Sequence, residues 1–130
     1  ITYGDWRDVR SSDLHNLGLV ADMAHRVAIM YAGRLVEDGP VESIFARPRH
    51  PYTRGLLASM PRAGEARALR RAGGRLAAIP GQVPNLATLP PGCAFAPRCD
   101  FAIERCRAEL PARVATASGG HARCHRWSEL

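Results

Sequence analysis

Lysine is absent from this chain, and all 18 basic residues among the 130 are arginine. That absence excludes a Gly-x-x-x-x-Gly-Lys-Ser/Thr loop, whose lysine reaches the outer phosphates of a nucleotide. No apolar run approaches the ~20 residues of a membrane-spanning helix. Aromatic residues make up only 6% of the chain, and none interrupts the densest basic stretch, Arg62, Arg67, Arg70, Arg71 and Arg75. Binders of single-stranded nucleic acid stack bases on aromatic rings. The formal charge of +6 therefore reads as arginine-only codon usage, and the basic stretch as a solvated helix or linker rather than a nucleic-acid interface. The opening Ile1-Thr2-Tyr3-Gly4-Asp5-Trp6 has neither a basic n-region nor an apolar h-region, so no secretory signal is expected.

Cysteine is missing from the first 92 residues and then occurs four times, at Cys93, Cys99, Cys106 and Cys124. These lie in a tract rich in proline, glycine and arginine, where little apolar surface can be buried and a staple is needed. Three devices would serve. Disulfides need an oxidising compartment. Zinc sites usually contain a pair of ligands two to four residues apart, whereas the gaps here are five, six and seventeen residues. His121-Ala122-Arg123-Cys124, with His125 following, could stand in for such a pair. A 4Fe–4S cluster accepts four thiolates at more varied spacing. Spacing ranks the cluster first and zinc second, and four unrelated buried thiols remain the bland alternative.

Residues 1–13 are polar and show neither helical nor strand periodicity. Leu17, Val20, Ala21 and Ala24 recur at three and four residues and predict a short amphipathic helix. Arg26–Tyr31 reads as a strand, Ala32-Gly33 as a turn, and Arg34–Glu37 as the partner strand. Gly39-Pro40 is expected to close the hairpin and open a helix over 41–46, with Pro40 at the first helical position and Glu42 favouring the dipole. That helix stops before Pro48. Pro51 starts another, with Tyr52, Leu56 and Met60 on one face, and Pro61 ends it. A boundary is expected near 61–75, between a helix–hairpin–helix piece and a metal-stapled cap.

Two stretches carry more than periodicity. The run Leu14-His15-Asn16-Leu17-Gly18-Leu19-Val20-Ala21-Asp22-Met23, continuing to Tyr31-Ala32-Gly33-Arg34-Leu35-Val36-Glu37, resembles the switch-histidine region of ABC-transporter ATPase subunits. Gly39-Pro40-Val41-Glu42-Ser43-Ile44-Phe45 and Pro48-Arg49-His50-Pro51-Tyr52-Thr53-Arg54-Gly55-Leu56-Leu57 narrow the resemblance to the dipeptide, oligopeptide and nickel importers. Ile79-Pro80-Gly81-Gln82-Val83-Pro84 and Pro91-Gly92-Cys93-Ala94-Phe95-Ala96-Pro97-Arg98-Cys99 look like that family's own C-terminal extension.

The resemblance implies an α/β fragment: an atypical segment 1–13, the end of a nucleotide-binding domain over 14–61, and a loop-rich four-cysteine extension over 62–130. It implies a subunit that binds ATP and magnesium when intact, pairs with a second ATPase subunit beneath permease subunits, and drives peptide import. Such a subunit is cytoplasmic, peripheral on the inner face of the cell membrane. His15 would be the switch residue that reaches the terminal phosphate, and Cys93, Cys99, Cys106 and Cys124 would hold a 4Fe–4S cluster, with zinc as the alternative. The phosphate loop, the magnesium carboxylate strand and the Leu-Ser-Gly-Gly-Gln-type signature are missing from the sequence, so no ATP hydrolysis is expected of this chain alone.

A different class competes with this reading: a free-standing Cys-cluster module that binds a partner or senses redox state. Three packing expectations follow. Val27, Ile29, Leu35 and Phe45 should be partly exposed, or buried against substitutes, without the rest of a sheet. Phe95, Phe101, Ile103 and Trp127 should anchor segment 91–127. Arg98, Arg105, Arg107 and Arg123 flank the cysteines in sequence and could offset negative charge there.

Overall fold

The computed structural model describes residues 23–60, 71 and 78–130. His15, the segment 1–13 and nearly all of the expected 61–75 boundary lie outside the described residues, as does most of the helix read from Leu17 onward. The described part is a small α/β arrangement, a four-stranded antiparallel sheet with a few short helices. No helix among the described residues is long and apolar enough to cross a membrane.

The hairpin forms where the alternation placed it. Strand β1 (Arg26–Tyr31) pairs with β2 (Arg34–Pro40) through the two-residue turn Ala32-Gly33. Both turn residues have positive φ, 48° at Ala32 and 75° at Gly33, the mirror-image turn whose twist matches that of the strands. Alanine adopts this conformation at a cost that asparagine largely avoids. Ala32→Asn is expected to stabilise the chain by about 0.5–1 kcal/mol, read as a rise in the denaturation midpoint.

Strand β2 outruns its expected end at Glu37 by three residues, and Arg26 pairs with Pro40. Pro40 is the last residue of the strand and the N-cap of α1 (Val41–Ala46), one place earlier than expected. A bulge interrupts the ladder: Ile29 faces Glu37 and Met30 faces Leu35, which leaves Val36 as the extra residue. Two consecutive side chains, Val36 and Glu37, are buried as a result.

Helix α1 lays Val41 and Ile44 on Val27. Val27 is therefore buried against a substitute partner, while Ile29, Leu35 and Phe45 are partly exposed, both within the expectation. Helix α2 (Pro51–Ala58) begins at Pro51 and ends before Met60. Its Tyr52 stacks beside Tyr31 and Phe95, with ring centroids 4.6 and 5.4 Å away.

The C-terminal tract does not stand apart. Short strands β3 (Val114–Ala115) and β4 (His121–Ala122) extend the hairpin sheet in the order β1-β2-β4-β3, with Glu37 opposite Ala122 and Asp38 opposite His121. Asp38 accepts hydrogen bonds from Arg113 at 2.7 Å and pairs with His121 at 3.2 Å, and Arg26 lies at 3.6 Å. Glycine is required at 120, because a Cβ there would sit 2.0 Å from the Asp38 carbonyl oxygen. Phe95 drops into the hairpin core with Tyr31, Val36 and Ala94. Phe101 and Ile103, expected as anchors, are 37% and 40% exposed, so Phe95 is the principal apolar plug. Trp127 is half-buried beneath the Arg49 guanidinium.

Candidate metal centre

Three loops bring the four cysteines together. The first begins at Gly92, where the chain crosses the carbonyls of Cys106 and Arg107 so closely that a Cβ would lie 2.3 and 2.6 Å from them. The next residue, Cys93, donates its N–H to the Cys106 carbonyl at 2.8 Å. A 3₁₀ turn, Ala96–Arg98, then delivers Cys99. Cys106 sits on α3 (Glu104–Ala108), its N–H bonded to Ile103 O. Cys124 follows β4. All four line one cavity of about 10 Å³, whose walls also include His50, Phe95, Pro111 and His125.

The four thiols are free, and no disulfide joins them. Among the described residues no three His, Cys, Asp or Glu side chains are gathered at metal-binding separation. The cysteines thus converge on one cavity without forming a ready-made cage.

Their protonation follows from burial. Burial pushes the Cys124 thiol up to about 11, opposed by the Arg126 N–H and reinforced by Cys106, Cys93 and Cys99. The Arg126 N–H lies 3.4 Å from Cys124 Sγ. Cys93 is also raised, chiefly by burial, against the N–H groups of Phe95 and Ala96 and the charge of Arg34. Cys99 is raised by burial too, against the N–H of Phe101. Cys93, Cys99 and Cys124 are thus held as thiols near neutral pH, yet backbone N–H groups already point at each of them. Contacts of this kind favour a thiolate over a thiol.

Arginines near the cysteines in sequence are not all near them in effect. Arg98 instead donates to the carbonyls of Ile79 and Pro80, each at 2.7 Å, and to Tyr31 Oη. Arg123 donates to Pro111 O. Arg105 pairs with Glu109 at the surface. The cation acting on Cys93 is Arg34, far upstream in sequence. Of the two histidines considered as zinc ligands, His125 lines the cavity, its Nε2 3.0 Å from Glu109 O, whereas His121 is engaged by Asp38 and Arg113.

Two residues of the hairpin piece support this cavity and escaped the sequence reading. Glu37, turned inward by the bulge and 2% exposed, accepts the N–H of Arg49 at 2.6 Å and of His50 at 3.1 Å. Burial raises its carboxyl above the usual range, and the neighbouring Thr53 and the two N–H groups counter the rise. His50, 1% exposed, caps α2 by accepting the Tyr52 N–H on Nδ1 at 3.1 Å. Burial lowers it to about 4, so the ring is neutral. Its place directly before Pro51 marks it as a helix cap, but nothing local marks it as a cavity wall.

Comparison with known proteins places this arrangement. Residues 36–106, more than half of the chain, match the family described as oligopeptide/dipeptide transporter, C-terminal region. A Brucella ovis protein named as a peptide import ATP-binding protein is 57% identical over 116 residues, covering 89% of this chain and 34% of the relative. The dipeptide transport ATP-binding protein DppD of Escherichia coli is 45% identical over 111 residues, 85% of this chain and 32% of the relative. The chain spans about a third of the length of these relatives. The matched segment runs from the bulge of β2 through Phe95 to Cys106, and the chain therefore belongs to the oligopeptide/dipeptide transporter C-terminal-region family.

Proposed function

We propose that this chain is the C-terminal portion of the ATP-binding subunit of a peptide ABC importer, and that its four cysteines form a metal centre fastening the extension to the hairpin. The observation that carries the second part is the convergence of Cys93, Cys99, Cys106 and Cys124, all free, on one cavity. In the whole subunit, paired with a second ATPase and seated on permease subunits at the inner face of the membrane, ATP and magnesium would be bound elsewhere. His15 would be the residue facing the terminal phosphate. The chain itself contains no phosphate-loop lysine, and ATP hydrolysis is not expected of it in isolation.

The donor set fits a soft or borderline metal. Four sulfurs converge with no carboxylate on the cavity wall, a set that selects zinc or an iron–sulfur cluster over magnesium or calcium. The cavity of about 10 Å³ admits one ion as it stands. A 4Fe–4S cluster held by Cys93, Cys99, Cys106 and Cys124 would supply a covalent cross-link among the three cysteine loops. Cys93 and Cys99 would be fixed by the 3₁₀ turn, Cys106 by α3 and Cys124 by the end of β4. Loading would release the protons that burial keeps on the thiols, so retention should strengthen as pH rises.

Anaerobic purification with iron, sulfide and zinc analysis, plus the visible spectrum, tests the reading. Iron and sulfide in equal amounts, both lost in Cys124→Ser, are expected. Zinc at one per chain with no sulfide would replace the cluster by a zinc site that can include His125. Four cysteines in two stable disulfides would overturn both.

A further inference from the structure

Resting on the metal-centre reading above, we propose that His50 is a positioning residue for that centre, donating its Nε2–H to a metal-bound cysteine sulfur. His50 Nδ1 accepts the Tyr52 N–H at 3.1 Å, so the proton of the neutral ring resides on Nε2. The ring cannot turn over without stripping the first turn of α2 of that acceptor. The backbone beneath it is also pinned, since the Glu37 carboxylate takes the N–H groups of Arg49 and His50.

The Nε2–H is then left with a narrow choice. His50 is 1% exposed and forms part of the wall of the cysteine cavity. The imidazole is stacked near Phe95, ring centroids 5.9 Å apart, which offers no acceptor in the ring plane. No hydrogen bond from Nε2 is seen among the described residues, and the four cysteines line the same cavity as the ring. A thiolate is a far better acceptor for such a donor than a thiol. The donor is therefore present beforehand and acquires its acceptor on loading. It adds a side-chain N–H to the backbone N–H groups that already face Cys93, Cys99 and Cys124. Such a bond neutralises part of the charge of a four-thiolate centre and holds one sulfur in register.

Cobalt(II) added anaerobically to the reduced full chain gives a probe independent of the native metal, because sulfur-to-cobalt charge-transfer bands report ligand number and electron density on sulfur. The informative variant is His50→Asn, since asparagine retains an N-cap acceptor and loses the imidazole donor. Wild type is expected to show a four-sulfur spectrum. His50→Asn should bind cobalt about 10-fold or more weakly with shifted charge-transfer bands.

Equal affinity and unshifted bands in the two proteins would overturn the His50 assignment and leave the metal centre standing. No cobalt bands in wild type would overturn both. If the variant does not fold, nitrogen-15 NMR of wild type decides. An Nε2–H that shifts and becomes protected from exchange on loading supports the proposal, and a proton on Nδ1 sinks it.

Discussion

Gly92→Ala is expected to cost about 3 kcal/mol or more and to undo the fold of the extension around its cysteines. The added Cβ would meet backbone, not a movable side chain: it would lie 2.3 Å from Cys106 O and 2.6 Å from Arg107 O. Relief requires the strand of chain at 92–93 to withdraw from α3, and that breaks the 2.8 Å bond from Cys93 N–H to Cys106 O. Two cysteines on different loops then lose their mutual placement. Gly119→Ala makes the control. Its φ is +79°, but nothing lies within 4 Å of a Cβ there, so only the dihedral penalty of about 1 kcal/mol applies. Denaturant titration of both variants, with exchange of the Cys93 amide, checks the prediction. Equal midpoints for the two would refute it.

The second large effect is a dependence of metal-free stability on pH set by His50. Its pKa is about 4 in the folded chain against an ordinary 6.5, because burial disfavours the charged ring. A depressed pKa contributes stability that is present above the unfolded value and lost as pH falls toward the folded one. Stability should therefore decline from about pH 6.5 to about pH 4, by up to about 3 kcal/mol. Glu37 acts in the opposite sense. Its pKa is raised, mainly by burial, so its contribution is greatest at low pH and is lost as pH rises through the folded value. His50→Asn should remove the acid-side decline, and Glu37→Gln should leave it steeper than in wild type. Equilibrium unfolding at a series of pH values reads both, and a wild-type decline that persists unchanged in His50→Asn would assign it elsewhere.

What could be read from the sequence and what could not divide along the distance between partners. β1, the Ala32-Gly33 turn, α1 and the start of α2 come from neighbours in sequence: alternation, a turn pair, and Pro48 and Pro51 as punctuation. The cysteines stood out because their residue type and clustering carry chemistry. β3 and β4 were invisible, since two residues have no periodicity and the β4 partners Glu37 and Asp38 are more than eighty residues away. Nothing in the sequence marked Glu37 as buried, because alternation assumes an unbroken ladder and the bulge at Val36 breaks it. Arg98 was assigned to the cysteines by proximity in sequence, whereas unpaired carbonyls at Ile79 and Pro80 claim it.

The pairing of β2 with β4 sets an order of events in time. The hairpin and α1 can close as soon as residues 26–46 exist, since every contact among them is local. The central seam of the sheet waits for His121 and Ala122, and Asp38 must meet His121 across 83 positions. Until those residues have been synthesised, the far side of β2 offers its unpaired backbone to any other extended chain, and the carbonyl of Val36 lacks the Arg123 N–H that later bonds it at 2.8 Å. Closing so long a loop is slow compared with forming a hairpin. The nascent chain therefore has an interval in which one edge of β2 is uncovered, and β4 ends that interval.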